Sequence, residues 1–64
     1  MRIDRVKFTA ELTRQDMSQT KLAELVGVSR VTINGIKAGR ACTDKVGQKI
    51  AEALQVPIET LLEK

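Results

Sequence analysis

The sequence predicts an all-α domain of five short helices. Three observations favour this fold class: the chain has 64 residues, it contains a single proline, and its apolar residues recur three and four positions apart. With one phenylalanine and neither tyrosine nor tryptophan, the core must be built from Leu, Ile, Val and Ala, which helices accommodate well. A chain of this length has one small core, so we predict a single domain over residues 1–64.

Apolar spacing and the nature of the end residues define each helix. In the first helix Phe8 and Leu12 are four residues apart, which puts them on one face. In the last helix Pro57 suits the first position, where no backbone N–H is needed. The predicted helices cover residues 4–15, 19–26, 30–38 and 44–54, followed by a short fifth helix that starts at 57 and carries Ile58, Leu61 and Leu62.

Hydroxyl residues and glycines mark the ends of these helices. Ser18, Ser29 and Thr43 precede the second, third and fourth helices and suit the N-cap position, because their side-chain oxygen accepts a backbone N–H of the first turn. Gly27 and Gly39 follow the second and third helices, where a left-handed residue commonly ends a helix. The second and third helices are therefore expected to meet across a turn of about three residues.

Two glycines lie inside predicted helices, where each weakens the helix by about 1 kcal/mol relative to alanine. Gly35, in the third helix, either allows a partner to approach the backbone closely or is tolerated because Ile33 and Ile36 hold the helix. Gly47, in the fourth helix, either permits close packing between helices or indicates that this helix starts later than predicted. We favour packing for Gly47 and leave both interpretations open for Gly35.

Several function classes are disfavoured by what the sequence lacks. It has no histidine, no phosphate-binding glycine loop and no carboxylate pair set in an apolar run, so we expect no enzyme, cofactor, metal or small-molecule substrate. The single cysteine, Cys42, excludes an internal disulfide and is expected to be inert. No apolar run approaches the roughly 18 residues that a membrane helix needs, and we expect a cytoplasmic protein.

Positive charge is concentrated in the middle third of the chain. Residues 29–49 carry five basic groups and one acidic group, whereas residues 1–28 carry five and four, and residues 50–64 carry one and three. Such clustering suits an anionic partner such as nucleic acid, but many solvated surfaces are also basic. Charge alone leaves both possibilities open.

The segment QTKLAELVGVSRVTINGIKAG has the residues that two helices need to cross steeply over a tight turn. These are a small residue on the first helix, Ala23, a turn glycine, Gly27, and branched residues on the second helix, Ile33 and Ile36. In this the chain resembles the Cro and CI type of phage and bacterial repressor domain, and IAEALQVPIETLL resembles the fourth and fifth helices of that family. The resemblance implies a compact five-helix, lambda repressor-like DNA-binding domain with its helix-turn-helix at about residues 18–38.

The same resemblance implies that the third helix lies in the major groove of double-stranded DNA. It places Arg30, Val31, Asn34 and Gly35 at base-contacting positions. Arginine can bind guanine O6 and N7, asparagine can bind adenine, and valine can touch a thymine methyl group. The alternatives are that Arg30 contacts only phosphate, that Val31 is partly core, and that Asn34 is merely solvated.

Phosphate contacts are implied on both sides of this helix, and binding should weaken steeply as salt rises. The implied phosphate-contacting residues are Ser18, Gln19, Thr32, Lys37, Arg40, Thr43 and Lys45. One position departs from the family, because many members have a glycine just before the residue equivalent to Met17, where this chain has Asp16. The loop before the second helix is therefore expected to differ in shape.

Two binding roles fit this resemblance. In the first, a homodimer binds a two-fold operator and blocks transcription in a phage lysis or lysogeny switch. In the second, the protein acts mainly as an antirepressor or modulator that binds a partner repressor, as the modulator-of-repression type of phage protein does. Either role needs a surface left over from the core, for which the candidates are Ile58, Leu61 and Leu62.

Overall fold

A computed structural model describes residues 1–63 of the chain. Within these residues the elements are α1 (Arg5–Arg14), α2 (Gln19–Val26), α3 (Arg30–Lys37), α4 (Asp44–Leu54) and a turn of 3-10 helix (Ile58–Thr60). α2 packs against both α3 and α4, and α1 packs against α3. The all-α prediction is confirmed for this part of the chain, in which no helix is long and apolar enough to cross a membrane.

The predicted N-caps are confirmed. Ser18, Ser29 and Thr43 each accept a hydrogen bond from the backbone N–H three residues later, at 3.0–3.2 Å. Asp4 caps α1 by accepting from the backbone N–H of Val6 at 2.8 Å and from that of Lys7 at 3.1 Å. Each cap satisfies an N–H that the helix itself leaves without a partner, which is why the helices begin where the sequence predicts.

The prediction of a fifth α-helix is wrong. After α4 the described chain forms only the three-residue 3-10 turn, too short to propagate an α-helix. The chain beyond it pairs with the N-terminal segment: Asp4 donates its N–H to the Leu61 carbonyl at 2.7 Å, and Ile3 forms an antiparallel bridge with Leu62. These main-chain bonds draw the residues after the turn into an extended pairing and away from a helix.

The core is made of apolar side chains, and no polar side chain among residues 1–63 is buried. Because Leu61 has no exposed surface, it is removed from the candidate partner interface, whereas Ile58 and Leu62 are half-buried and remain candidates. The core residues are Ile3, Phe8, Leu12, Leu22, Ala23, Val26, Ile33, Ile36, Ile50, Ala51, Leu54 and Leu61.

Gly47 is buried beneath the side chain of Met1. A Cβ on Gly47 would overlap the Met1 sulfur and lie 3.1 Å from Met1 Cγ. The main chain holds Met1 in place, since Cys42 donates its N–H to the Met1 carbonyl at 2.9 Å and the Met1 amino group donates to the Cys42 carbonyl at 2.8 Å. The close contact at Gly47 is therefore with Met1 of the N-terminal segment and not with another helix, and α4 begins at Asp44, so it does not start later than predicted.

The loop before α2 turns at Asp16. This residue adopts a left-handed φ of 52°, a conformation in which glycine is the usual residue and aspartate is one of the few others tolerated. Met17 then donates its N–H to the Leu12 carbonyl at 2.9 Å, which closes the end of α1. Asp16 therefore supplies the backbone conformation that a glycine would provide at this position.

Candidate nucleic-acid interface

Gly27 makes the turn between α2 and α3. It has a left-handed φ of 85°, and its N–H donates to the Ala23 carbonyl at 2.8 Å, as does that of Val28 at 3.1 Å. A side chain at this φ is strained, which explains the glycine. The turn ends α2 and starts α3 in a new direction.

α3 has one buried face and one exposed face. Ile33 and Ile36 are 0% and 2% exposed and anchor the helix in the core. Arg30, Val31 and Asn34 point to solvent, and Val31 is 78% exposed, which excludes its interpretation as part of the core. The buried isoleucines therefore fix α3 to the core, and three side chains suited to base contact lie exposed on its other face.

The start of α2 lies along one side of this exposed face. Gln19 and Thr20 line a shallow depression together with Arg30, Val31 and Asn34. Within residues 1–63 the backbone N–H groups of Gln19 and Thr20 donate to no protein acceptor. Free N–H groups at a helix N-terminus attract anions, so this side of α3 is suited to a phosphate.

The loop between α3 and α4 lies along the other side. Thr32, Gly35, Arg40 and Thr43 line a second depression, whose border with the first is Val31. The structure thus brings three predicted phosphate-contacting residues together on this side of α3. It also places Gly35 here, with a Cβ position 3.5 Å from Arg40 Cδ.

Three further predicted residues are placed separately. Ser18 and Lys37 line a depression that also includes Gln19, so the C-terminal end of α3 lies near the start of α2. Lys45 is exposed in the first turn of α4 but does not line the depression beside α3. Its neighbour Asp44 lies 3.6 Å from the Met1 amino group, and this carboxylate is the one acidic group in the first turn of α4.

The basic residues of the surface around α3 are not neutralised within the described chain. The ion pairs among residues 1–63 join Arg14 to Glu11 and the Met1 amino group to Asp44. In this part of the chain Arg30 and Arg40 therefore have no carboxylate within 4.0 Å. Their charge is available to an external anion.

Comparison with known proteins identifies this arrangement. The sequence profile of the helix-turn-helix family matches residues 10–61, which include all of α2, α3 and α4. The chain belongs to the Cro/CI-type helix-turn-helix family. A comparison with curated proteins finds no match.

Solved structures share the helix-turn-helix fold of this chain. A mutant of hydroxyethylphosphonate dioxygenase superposes with a TM-score of 0.87 at 22% identity, and native PhpD with cadmium atoms superposes with a TM-score of 0.84 at 22% identity. Each comparison covers 100% of this chain, which spans only 14% of each of those chains. At this identity the likeness shows the fold alone.

Sequence reasoning missed two residues of the helix-turn-helix surface. Thr20 lies beside Arg30 with its backbone N–H free, and its place in the first turn of α2 is a signal that could have found it. Arg5 reaches the end of α3, where a Cβ on Gly39 would lie 3.9 Å from Arg5 Cδ. Arg5 is remote in sequence from α3, so no local pattern points to it.

Cys42 is half-buried beside the start of α4. Burial raises the pKa of its thiol, the nearby Met1 ammonium lowers this pKa, and the Asp44 carboxylate raises it, with burial the largest effect. A raised pKa keeps the thiol protonated at neutral pH and reduces its reactivity.

Proposed function

We propose that the chain is a sequence-specific transcriptional regulator that reads DNA with the exposed face of α3 in the major groove. The observation that carries this proposal is that Arg30, Val31 and Asn34 are exposed on a helix anchored by Ile33 and Ile36. Arg30 is suited to guanine O6 and N7, Asn34 to adenine, and Val31 to a thymine methyl group. Gly35 lies on the same side of the helix, one turn after Val31.

We assign phosphate contacts to the two sides of α3. The free N–H groups at the start of α2 suit one phosphate, and the loop before α4 suits another. Because each neutralised phosphate releases counterions, affinity should fall steeply as salt rises. The residues in this role are Ser18, Gln19, Thr32, Lys37, Thr43 and Lys45.

Selection from random duplex DNA tests this function. The preferred duplex is then measured by mobility shift with the wild-type chain, with Arg30→Ala, and with Lys49→Ala as a matched control. Lys49 suits this role because it is an exposed cation on α4 that lines a depression containing no α3 residue. Arg30→Ala should weaken specific binding by about 5- to 100-fold, as expected for one arginine–guanine contact. Equal effects of the two substitutions, or no selected sequence, would contradict the proposal.

A second function, binding to a partner regulator, is favoured by exposed apolar residues. Val6 is 75% exposed and Leu25 is 51% exposed. Val6 shares a depression with Glu63, next to half-buried Leu62, and Ile58 is also half-buried. Val6 with the neighbouring C-terminal residues offers one surface, and Leu25 with its depression offers another, for a second copy of the chain or for a partner repressor in a phage lysis or lysogeny switch.

The two roles are separated by assembly state. A chain that is dimeric in light scattering and protects a palindromic site alone acts as a repressor of the first kind. A chain that stays monomeric, and that elutes together with a larger repressor of the same switch, acts as a modulator. A footprint that appears or disappears when that repressor is added gives the sign of the effect.

We propose that this chain is not an enzyme and that it works in the cytoplasm. Its likeness to a dioxygenase concerns a part equal to 14% of that chain, and the sequence contains no histidine. Among residues 1–63 no group of three or more His, Cys, Asp or Glu residues is placed to hold a metal ion. An assay with hydroxyethylphosphonate under oxygen tests the first point, and any product formed by the purified chain contradicts it.

A further inference from the structure

The end of α3 folds the chain back over the helix. Gly39 has a left-handed φ of 104° and donates its N–H to the Ile36 carbonyl at 3.0 Å, while Arg40 donates its N–H to the Gly35 carbonyl at 2.9 Å. These two bonds form a Schellman motif, in which the second residue past the helix packs on the last turn. The backbone therefore fixes the position of Arg40 relative to α3 in the absence of any ligand.

Arg40 lies against the place that a side chain at position 35 would take. A Cβ on Gly35 would lie 3.5 Å from Arg40 Cδ, 3.8 Å from Arg40 Nε and 3.9 Å from Arg40 Cβ. These are ordinary van der Waals contacts. The aliphatic part of Arg40 therefore covers Gly35, and the guanidinium nitrogen Nε also lies beside this glycine. An alanine at position 35 fits under Arg40, but a longer side chain competes with it for space.

This position lies on the face of α3 that carries the base-reading side chains. Val31 and Gly35 are four residues apart, so they share one side of the helix, and both line the depression that contains Arg40. Arg40 is exposed, and among residues 1–63 no carboxylate lies within 4.0 Å of it. The Arg40 guanidinium, without a carboxylate partner among these residues, thus lies near Gly35, one helical turn beyond Val31, on a chain whose backbone is fixed.

We propose that Arg40 is a specificity-determining residue whose guanidinium binds O6 and N7 of a guanine in the major groove. This inference rests on the proposed function, since it requires α3 to lie in the groove. It assigns a base contact to Arg40, for which the sequence predicts a phosphate contact. It also explains why position 35 is a glycine. Gly35 leaves room for the side chain of Arg40, which follows α3 in the chain and whose backbone position is set by the Schellman motif before DNA binds.

Base preference at each position of the selected duplex is the readout that tests Arg40. Arg40→Lys retains the positive charge but loses the bidentate fork, so it should lower the preference for one G·C pair by tenfold or more while the salt dependence stays unchanged. Gly35→Leu should abolish the preference at the same base pair, because leucine displaces Arg40. Replacing that guanine with 7-deazaguanine should weaken the wild-type chain and leave Arg40→Lys unaffected.

Lys37→Ala is the matched control, because it removes a nearby cation of α3 that does not line the depression containing Arg40. It should weaken all sequences about equally. If Arg40→Lys keeps the wild-type preference at every base pair, Arg40 is not a base-reading residue and the inference is wrong. The proposed function survives that result if Arg30→Ala still changes the preference at its own base pair, and it fails together with the inference if the wild-type chain prefers no sequence.

Discussion

α3 and α4 are built alike but have different outer faces. Each begins after a hydroxyl N-cap, buries one apolar face and contains one interior glycine. The outer face of α4 carries both positive and negative charges, and Gly47 of this helix is buried beneath the side chain of Met1. The outer face of α3 carries Arg30 without a paired carboxylate, and its glycine is covered by an exposed arginine. The glycine of α4 is thus buried within the molecule, whereas the glycine of α3 lies on a surface with an unpaired arginine.

The inner faces of the two helices should be equivalent, and this gives the largest expected effect. Ile33 on α3 and Ile50 on α4 are both fully buried, so Ile33→Ala and Ile50→Ala should each lower the free energy of unfolding by about 2–5 kcal/mol. Val31→Ala, on the outer face of α3, should change it by less than about 0.5 kcal/mol. Urea denaturation measures all three, and a loss at Val31 equal to that at Ile33 would remove the distinction between the two faces.

The interior glycines should respond in opposite ways to the same substitution. Gly47→Leu expels Met1 from its packed position and should lower the free energy of unfolding by about 1–3 kcal/mol. Gly35→Leu meets only the flexible Arg40 side chain and gains helix propensity, so stability should be unchanged or rise by up to about 1 kcal/mol. Thermal and urea unfolding of the two variants test this difference. Equal losses in the free energy of unfolding would show that α3 is packed at Gly35 as tightly as α4 is at Gly47.

A smaller effect is expected where α4 approaches the proposed phosphate site. Asp44 puts a carboxylate in the first turn of α4, next to Thr43 and Lys45, where it repels DNA phosphate. Asp44→Asn should therefore raise DNA affinity by about two- to fivefold at low salt and by less at high salt. Glu52→Gln, which removes an exposed carboxylate near the other end of α4, is the control and should have no effect. Equal gains from both substitutions would indicate only a change in net charge.

The smallest effect concerns the loop that joins the two helices. Because burial raises the pKa of the Cys42 thiol, alkylation of the folded chain should reach half its maximal rate at a higher pH than alkylation of the urea-denatured chain. The raised pKa means that the folded state holds this proton more tightly. The associated stability is fully present below the pKa of the unfolded thiol and is lost as pH rises through the higher pKa of the folded thiol. Identical pH profiles for the two states would contradict the burial of Cys42.

The sequence predicts the helices and the turn well because their signals are local. Ser18, Ser29 and Thr43 cap helices through bonds to residues three positions away, and Gly27 ends α2 by its own φ. The same locality places Arg30 on the outer face, since the buried Ile33 fixes the rotation of α3 about its axis. The candidate recognition surface follows from these residues alone.

What the sequence did not predict depends on bonds between distant segments. The pairing of Ile3 with Leu62 uses main-chain groups, which leave no trace in side-chain type, and it replaces the predicted fifth helix. The cover over Gly47 by Met1 is likewise a long-range contact. Arg40 over Gly35 is close in sequence, but its position depends on the backbone geometry at Gly39.

Methylation interference on the selected duplex is the most direct test of the claim that the exposed face of α3 reads the major groove. Methylation of guanine N7 alters only that groove, and the wild-type chain should lose binding when specific guanines are methylated, with one of these positions becoming insensitive in Arg30→Ala. If binding by the wild-type chain is indifferent to N7 methylation, or if Arg30→Ala shows the wild-type pattern, then α3 does not read bases through Arg30.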